Sequence, residues 1–230
     1  MRDEAVPEGA PSEAAEVRQI WSALGLPGMI DVHTHFMPKS VLDKVWRYFD
    51  SAGPLVGRDW PIAYRADESR RLQTLRQFGV RQFTALVYPH KPQMAAWLNQ
   101  WAAQFAAAAP DCLATATFYP EPDAGDYVEA AIRRGTRVFK AHVQVGRYDP
   151  NDPLLDGVWG AIEDAGVPVV IHCGSGPVPG DHTGPEPIRR VLPTSIGSSS
   201  CATASCSAAT SRTSPTAMPM PCGRSRGSPV

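Results

Sequence analysis

The chain has 230 residues, enough for one large domain or two small ones, and its formal net charge of −1 offers no basic surface for nucleic acid or an anionic membrane. No apolar run approaches the length that spans a bilayer, and the acidic, polar start MRDEAVPEGAPSEAAEV lacks the apolar core of a secretory signal. Five cysteines, Cys112, Cys173, Cys201, Cys206 and Cys222, show no disulfide-framework spacing, so reduced thiols in a cytoplasmic protein are the simplest expectation.

Residues 1–26 read as a surface arm with a short helix. Ser12 is a candidate N-cap, Val17, Ile20, Trp21 and Leu24 fall at helical spacing, and Gly25 can end it. Residues 29–36 follow as a short strand, whose apolar start and β-branched Ile30 and Val32 predict burial. Residues two apart on a strand share a side, so His33 and His35 project together, their Cα atoms roughly 6.6 Å apart. Two such imidazoles can each give a ring nitrogen to one metal ion. They can equally be two polar residues where a strand runs out into a loop. The spacing then predicts a helix over 40–50, with Ser40 and Asp43 in the pattern of a capping box, and a loop over 51–66. Asp67 can cap a helix through Arg70, Leu72, Leu75 and Phe78 that Gly79 closes.

The second predicted strand covers 80–88 and stops at Pro89. A strong helix over 93–109 carries Met94, Trp97, Leu98, Trp101 and Phe105 on one stripe. A third strand is predicted over 112–118, a helix over 127–134 and a fourth strand over 136–143. Asp152 and Pro153 open the next helix as N-cap and first-turn proline, with Leu154, Leu155, Val158, Trp159 and Ile162 toward its core. Residues 167–173 form a fifth strand, almost wholly apolar.

Strand and helix therefore alternate with short links, and apolar strands alternating with amphipathic helices argue for an α/β fold with a parallel sheet. A doubly wound open sheet and a (β/α)8 barrel share this signature. No Gly-x-Gly-x-x-Gly follows any strand, which counts against the dinucleotide-binding version. Five of the six histidines lie on or just past predicted strands. His33 and His35 end the first, His90 follows Tyr88 after the second, His142 shares the fourth with Lys140, and His172 ends the fifth. In a barrel that rim carries the active site. Any one of these residues could be an isolated core or loop histidine, but scattered histidines have no reason to share one rim.

The stretches IDVHTHF at 30–36, RVFKAHVQVG at 137–146 and VPVVIHCGSGP at 167–177, with DPLLDGVWGAIEDAG at 152–166, resemble the metal-dependent amidohydrolase superfamily. Within it the likeness is to the amidohydrolase-related group that includes decarboxylases of aromatic and enoic acids, and it covers residues 27–192. The resemblance implies a (β/α)8 TIM barrel of the metal-dependent hydrolase type, here incomplete, with about five βα units. It implies His33, His35 and His172 as ligands of a divalent metal, zinc most often, with manganese as the alternative. Lys140 or His142 takes a place that supplies a further ligand in some relatives and otherwise lines the substrate pocket. His90, and His182 in Gly180-Asp181-His182-Thr183-Gly184, lie on loops above that pocket, as substrate contacts or as surface and turn residues. Cys173 points to the other face of its strand, into the core. The implied reaction is hydrolysis by metal-activated water at a carbonyl-type carbon of a small-molecule substrate, or alternatively a non-oxidative decarboxylation. The implied partners are that substrate and, at most, further copies of the chain.

In hydrolases of this superfamily an aspartate after strand eight and a histidine after strand six complete the chemistry. Here the sequence departs. Residues 193–230 contain no aromatic, acidic, lysine or histidine residue, a composition that predicts a disordered, low-complexity tail after a partial barrel over 27–192. A natural flexible tail is one account, and a shifted reading frame is the preferred one. Back-translated with TCN serine codons, residues 198–204 (Ser-Ser-Ser-Cys-Ala-Thr-Ala) read from the third base permit Val or Leu three times, then Cys or Arg, His and Gly. That would be a buried strand ending in His-Gly, where the sixth strand belongs. A third functional reading is therefore a catalytically inactive fragment, with its first and fifth strands as open edges unless another chain covers them.

Overall fold

In the computed structural model the chain is described over residues 12–53, 62, 65–174 and 180–191. The start of the predicted arm, most of the loop over 51–66, and the predicted tail with Cys201, Cys206 and Cys222 lie outside the described residues. The first half of the chain supplies α1 (Glu13–Ala23), β1 (Met29–Asp31), α2 (Lys39–Ser51), α3 (Glu68–Gln77), β2 (Val80–Thr84) and α4 (Ala95–Ala108). The second half supplies β3 (Cys112–Leu113), β4 (Thr115–Thr117), α5 (Ala124–Arg133), β5 (Val138–His142) and the single turn α6 (Val143–Gly146). A 3-10 turn (Pro153–Leu155) then leads into α7 (Asp156–Asp164), followed by β6 (Val169–His172) and α8 (Pro185–Val191). Among the described residues no helix is long and apolar enough to cross a membrane.

Three predicted caps form as their chemistry requires. Ser12 accepts from the Ala15 N–H at 3.3 Å, Asp67 from Arg70 at 2.7 Å, and Asp152 from Leu154 at 3.0 Å, each satisfying a donor with no intrahelical partner. The capping box at Ser40 does not form. Pro38, with φ at −49°, already has a helix-like φ, so α2 begins one residue earlier, and Asp43 pairs with Lys39 at 2.6 Å.

Among the described residues every strand pairing is parallel, in the orders β1-β2-β3 and β4-β5-β6. The strand predicted over 112–118 is divided at Ala114, and a side chain accounts for the division. Asn99 of α4, only 3% exposed, donates to the Thr117 carbonyl at 2.9 Å and accepts the Thr117 N–H at 2.7 Å. Its amide takes up the backbone groups that a longer β2 would pair. Threonine hydroxyls bridge the strands nearby, Thr115 to the Ala85 carbonyl at 2.8 Å and Thr117 to the Lys140 carbonyl at 2.7 Å.

Strand alternation sorts the side chains into two faces. Phe83, Ala85, Ala116, Phe118, Phe139, Ala141, Ile171 and Cys173 are buried in the clusters that the strands share with the helices. The opposite face is lined at its base by Leu86, Val138 and Val170, a separate small cluster that floors the space above it. Lys140, His142 and His172 share that inner face by parity.

Three burial expectations are overturned. Leu154, read toward the core of its helix, is 47% exposed, because it lies in the 3-10 turn ahead of α7 and the buried face there runs through Leu155, Val158 and Ile162. Ile30 and Val32 are 58% and 48% exposed, because among the described residues β1 is an edge strand with little covering its outer side. Trp97 is 46% exposed because the buried stripe of α4 runs through Ala95, Leu98, Asn99, Ala102 and Phe105, which leaves Trp97 out of phase. At the other end of the strands α1 closes off α3. Arg18 donates to the carbonyls of Gln77 (2.5 Å) and Arg76 (3.0 Å), and the Trp21 indole N–H donates to Phe78 at 3.0 Å. Gly79 is required there. Its φ is +82°, and a Cβ on it would stand 2.5 Å from the Trp21 ring.

Candidate active site

Because all the strands are parallel, their C-terminal ends share one rim, and a continuous series of rings crosses it. The His33 and His35 ring centroids are 5.3 Å apart, and His35 meets Tyr88 edge-on at 5.5 Å. Tyr88 lies 4.5 Å from His142, which stacks on His172 at 4.1 Å. Residues from the ends of β1, β2, β5 and β6 are thus gathered in the order the sequence predicts. Lys140 lies one inward step below His142, with its side chain fully buried.

The electrostatics follow from burial beside one cation. Desolvation lowers Lys140 to about 7. Burial first, and the Lys140 charge second, lower His35 to about 3 and His172 to about 4. His33 is shifted down for the same two reasons, opposed by Asp31, and His142 is driven well down by burial and by His172. The imidazoles are therefore neutral at pH 7, which is the state that offers a lone pair to a metal.

Hydrogen bonds fix which nitrogen carries the proton. The His35 Nδ1 lies 2.9 Å from the Leu86 carbonyl, which only accepts, so Nδ1 carries the hydrogen and Nε2 is left with its lone pair. His142 has the opposite arrangement. Its Nδ1 accepts the Val145 N–H at 3.3 Å, so the neutral ring holds its proton on Nε2 and is a donor, not a ligand, through that atom. Among the described residues, the His172 Nε2 and the Lys140 Nζ are buried with no hydrogen-bond partner. Among the described residues no set of three or more His, Cys, Asp or Glu side chains is already drawn together into a closed metal site. The donor chemistry of His33, His35 and His172 nevertheless fits a divalent metal: neutral imidazoles on one rim, one with an unsatisfied buried nitrogen.

The remaining predicted residues lie outside the ring series. His90 is exposed on the rim, lowered by partial burial and by the neighbouring charges of Lys91 and Lys44. His182, in a left-handed conformation at φ 57°, is 42% exposed and faces Asp149 at 3.6 Å. Two supporting residues carry no sequence signal. Arg71 donates to the His35 carbonyl at 3.0 Å, and its guanidinium lies 4.5 Å over the Phe36 ring. Glu121, 6% exposed, accepts from the Gln93 N–H at 2.6 Å and the Tyr127 hydroxyl at 2.9 Å, which ties the loop after β2 to the loop after β4. Tyr88 is the exception: its parity with Leu86 on the strand already marks it as inward-facing.

The amidohydrolase family model matches residues 30–210. Among solved structures, an uncharacterised TIM-barrel protein from Bordetella bronchiseptica is 19% identical with a TM-score of 0.53, over 72% of this chain and 62% of its own. A protein described as amidohydrolase II is 19% identical with a TM-score of 0.51, over 67% and 53%. The 5-carboxyvanillate decarboxylase of Sphingomonas paucimobilis is 19% identical with a TM-score of 0.48, over 65% and 53%. The chain spans between 53% and 62% of the length of these structures. No curated protein matches it. The first two likenesses bear on the fold, and the described residues form an arc of a (β/α)8 barrel.

Proposed function

The chain belongs to the amidohydrolase family, and from that premise we propose that it is a metal-dependent hydrolase of a small-molecule substrate, with zinc or manganese held by His33, His35 and His172. The observation that carries the reading is the Nε2 of His172, buried without a hydrogen-bond partner among the described residues, on the same rim as His35, whose proton is held on Nδ1. When bound, the metal supplies Lewis acidity and a water of lowered pKa for attack on a carbonyl-type carbon. The chain's own residues do the rest. The Leu86 carbonyl orients His35, His142 presents an Nε2–H donor to a substrate oxygen, and the Tyr88 ring forms one wall.

Non-oxidative decarboxylation is a second reading, and Lys140 favours it. A buried ammonium without a hydrogen-bond partner is costly, and a substrate carboxylate would compensate it. A third reading is a catalytically inactive fragment, in keeping with residues 193–230 carrying no histidine or aspartate.

Metal content and product analysis separate the three. The purified protein is expected to hold close to one equivalent of zinc or manganese, and His172→Ala to lose it. Less than about a tenth of an equivalent in the unmutated protein, after metal supplementation, would sink the ligand assignment. Lactones and amides test hydrolysis, and carbon dioxide release from aromatic acids tests the second reading. Bound metal without turnover on the panel supports the third.

A further inference from the structure

His142 keeps its proton on Nε2 because its Nδ1 accepts the Val145 N–H at 3.3 Å, and that bond exists only while α6 is closed. A single helical turn does not hold itself, since fixing its backbone costs more entropy than its few bonds return. α6 also ends on a non-glycine residue in the left-handed region, Arg147 at φ 52°, whose N–H closes the turn on the Val143 carbonyl at 2.8 Å. The turn therefore needs support from outside.

Tyr119, in the loop after β4, is placed to give it. Its hydroxyl donates to the Gly146 carbonyl at 3.1 Å, one of those that a helix end leaves without an intrahelical partner. The Tyr119 ring meets the Tyr148 ring edge-on at 5.4 Å. Tyr148 is 5% exposed and lies so close to Gly146 that a Cβ there would stand 2.5 Å from its ring. Tyr119 is itself braced. Its N–H donates to the Tyr127 hydroxyl at 3.1 Å, and that hydroxyl donates to Glu121 at 2.9 Å. Glu121 also accepts the N–H of Gln93, another non-glycine residue held in the left-handed region, at φ 63°. The brace thus runs from the loop after β2, through the loop after β4, to the turn that follows β5.

We infer that Tyr119 is a positioning residue for His142: through the Gly146 carbonyl it holds α6 closed, and α6 holds the His142 ring with its proton on Nε2. The inference rests on His142 serving as a hydrogen-bond donor in the proposed reaction, and it adds a residue that acts through His142 rather than on substrate.

Tyr119→Phe removes the hydroxyl and keeps the ring against Tyr148. Two measurements on the full chain as purified test the inference: exchange of the Val145 amide, and long-range proton–nitrogen spectra of the imidazoles, with His142 assigned by the signals lost in His142→Gln. The parent is expected to show His142 protonated on Nε2. In Tyr119→Phe the Val145 amide is expected to exchange about fivefold faster, the equivalent of one net hydrogen bond, and the ring to show an Nδ1–H form beside the Nε2–H form. Ile162→Val, which removes a buried methyl from α7, lowers overall stability without touching the brace and is expected to leave both signals as in the parent. If the two variants behave alike, Tyr119 contributes only to overall stability and the inference is overturned. Unchanged Val145 exchange in Tyr119→Phe overturns it as well, as does faster exchange with the ring tautomer unaltered, because the turn then does not set the ring. A parent ring protonated on Nδ1 removes the donor role of His142 and the inference with it. Metal content is read separately, so an empty site sinks the proposed ligands and leaves the His142 result standing.

Discussion

β5 and β1 both present site residues on their inner faces, and they differ in what stands behind them. Every residue of β5 is buried, and Phe139 and Ala141 on its outer face pack in a cluster with Val128 of α5 and Val158 and Ile162 of α7. Behind β1, Ile30 and Val32 are exposed. Lys140, His142 and His172 are thus held by core packing. His33 and His35 are held by single contacts: the Asp31 carboxylate on the His33 N–H at 3.0 Å, the Leu86 carbonyl on the His35 ring, and Arg71 on the His35 carbonyl. One site is built by two physical means, and the packed half can tolerate the loss of a contact that the pinned half cannot.

The sharpest test is truncation of the outer face at each end. Phe139→Ala, at a fully buried position, is expected to lower unfolding stability by about 3–5 kcal/mol in urea titration. Ile30→Ala at the other end is expected to cost less than about 0.5 kcal/mol. Similar costs would mean that β1 is covered as β5 is, and the contrast would fail.

The seam between the two ends is the next largest effect. Asn99→Leu keeps the volume near the seam but leaves the Thr117 N–H and carbonyl buried without partners, at an expected cost of about 2–4 kcal/mol. The hydroxyl of Thr117 also holds the Lys140 carbonyl, so amide exchange at 138–142 is expected to quicken in the same variant. An Asn99→Leu protein as stable as the parent would show that β2 and β4 pair directly.

What was legible in the sequence follows from how far each signal reaches along the chain. Caps are local, so Ser12, Asp67 and Asp152 declared their helices. Strand parity is local too and pairs His33 with His35, while the strand ends point Tyr88, His90, Lys140, His142 and His172 to the same rim, where His90 is exposed and outside the ring series. The break at Ala114 was not legible because Asn99, which causes it, lies on a helix and reads there as an ordinary polar residue. Ile30 and Val32 have strand propensity, but propensity says nothing of what covers a strand. Glu121 sits between two prolines without a motif, and only the folded chain brings it to Gln93 and Tyr127.

Both halves also carry an electrostatic cost that acid and base should reveal in the metal-free protein. The folded values of His35 and His172, about 3 and about 4, lie below the ordinary 6.5, so the unfolded chain takes up their protons first. Stability from these groups is full above about pH 6.5 and falls as pH drops toward 4 and 3, by up to about 1.4 kcal/mol per pH unit for each ring. Lys140, at about 7 against 10.5, has the same sign at higher pH: its penalty grows as pH falls from 10.5 through 7. Lys140→Met is therefore expected to raise unfolding stability at pH 7 by about 1–3 kcal/mol, a gain that shrinks as pH approaches 10.5. A loss of stability at pH 7 instead would mean that the ammonium has a partner in the folded chain.

The smallest effect belongs to the residue that the rim does not gather. His182 faces Asp149 across 3.6 Å with both side chains about two-fifths exposed, so solvent screens the pair. Its φ of 57° is a conformation that asparagine also tolerates, so His182→Asn removes the imidazole without straining the turn. The expected change in unfolding stability is below about 0.5 kcal/mol, and zinc content is expected to match the parent. The zinc measurement is the decisive half of this test. His182 lies near His172 in sequence but outside the ring series that joins β1 to β6. If the variant loses its metal, the loop after β6 supplies a ligand, and the site does not lie between the packed and the pinned strand ends.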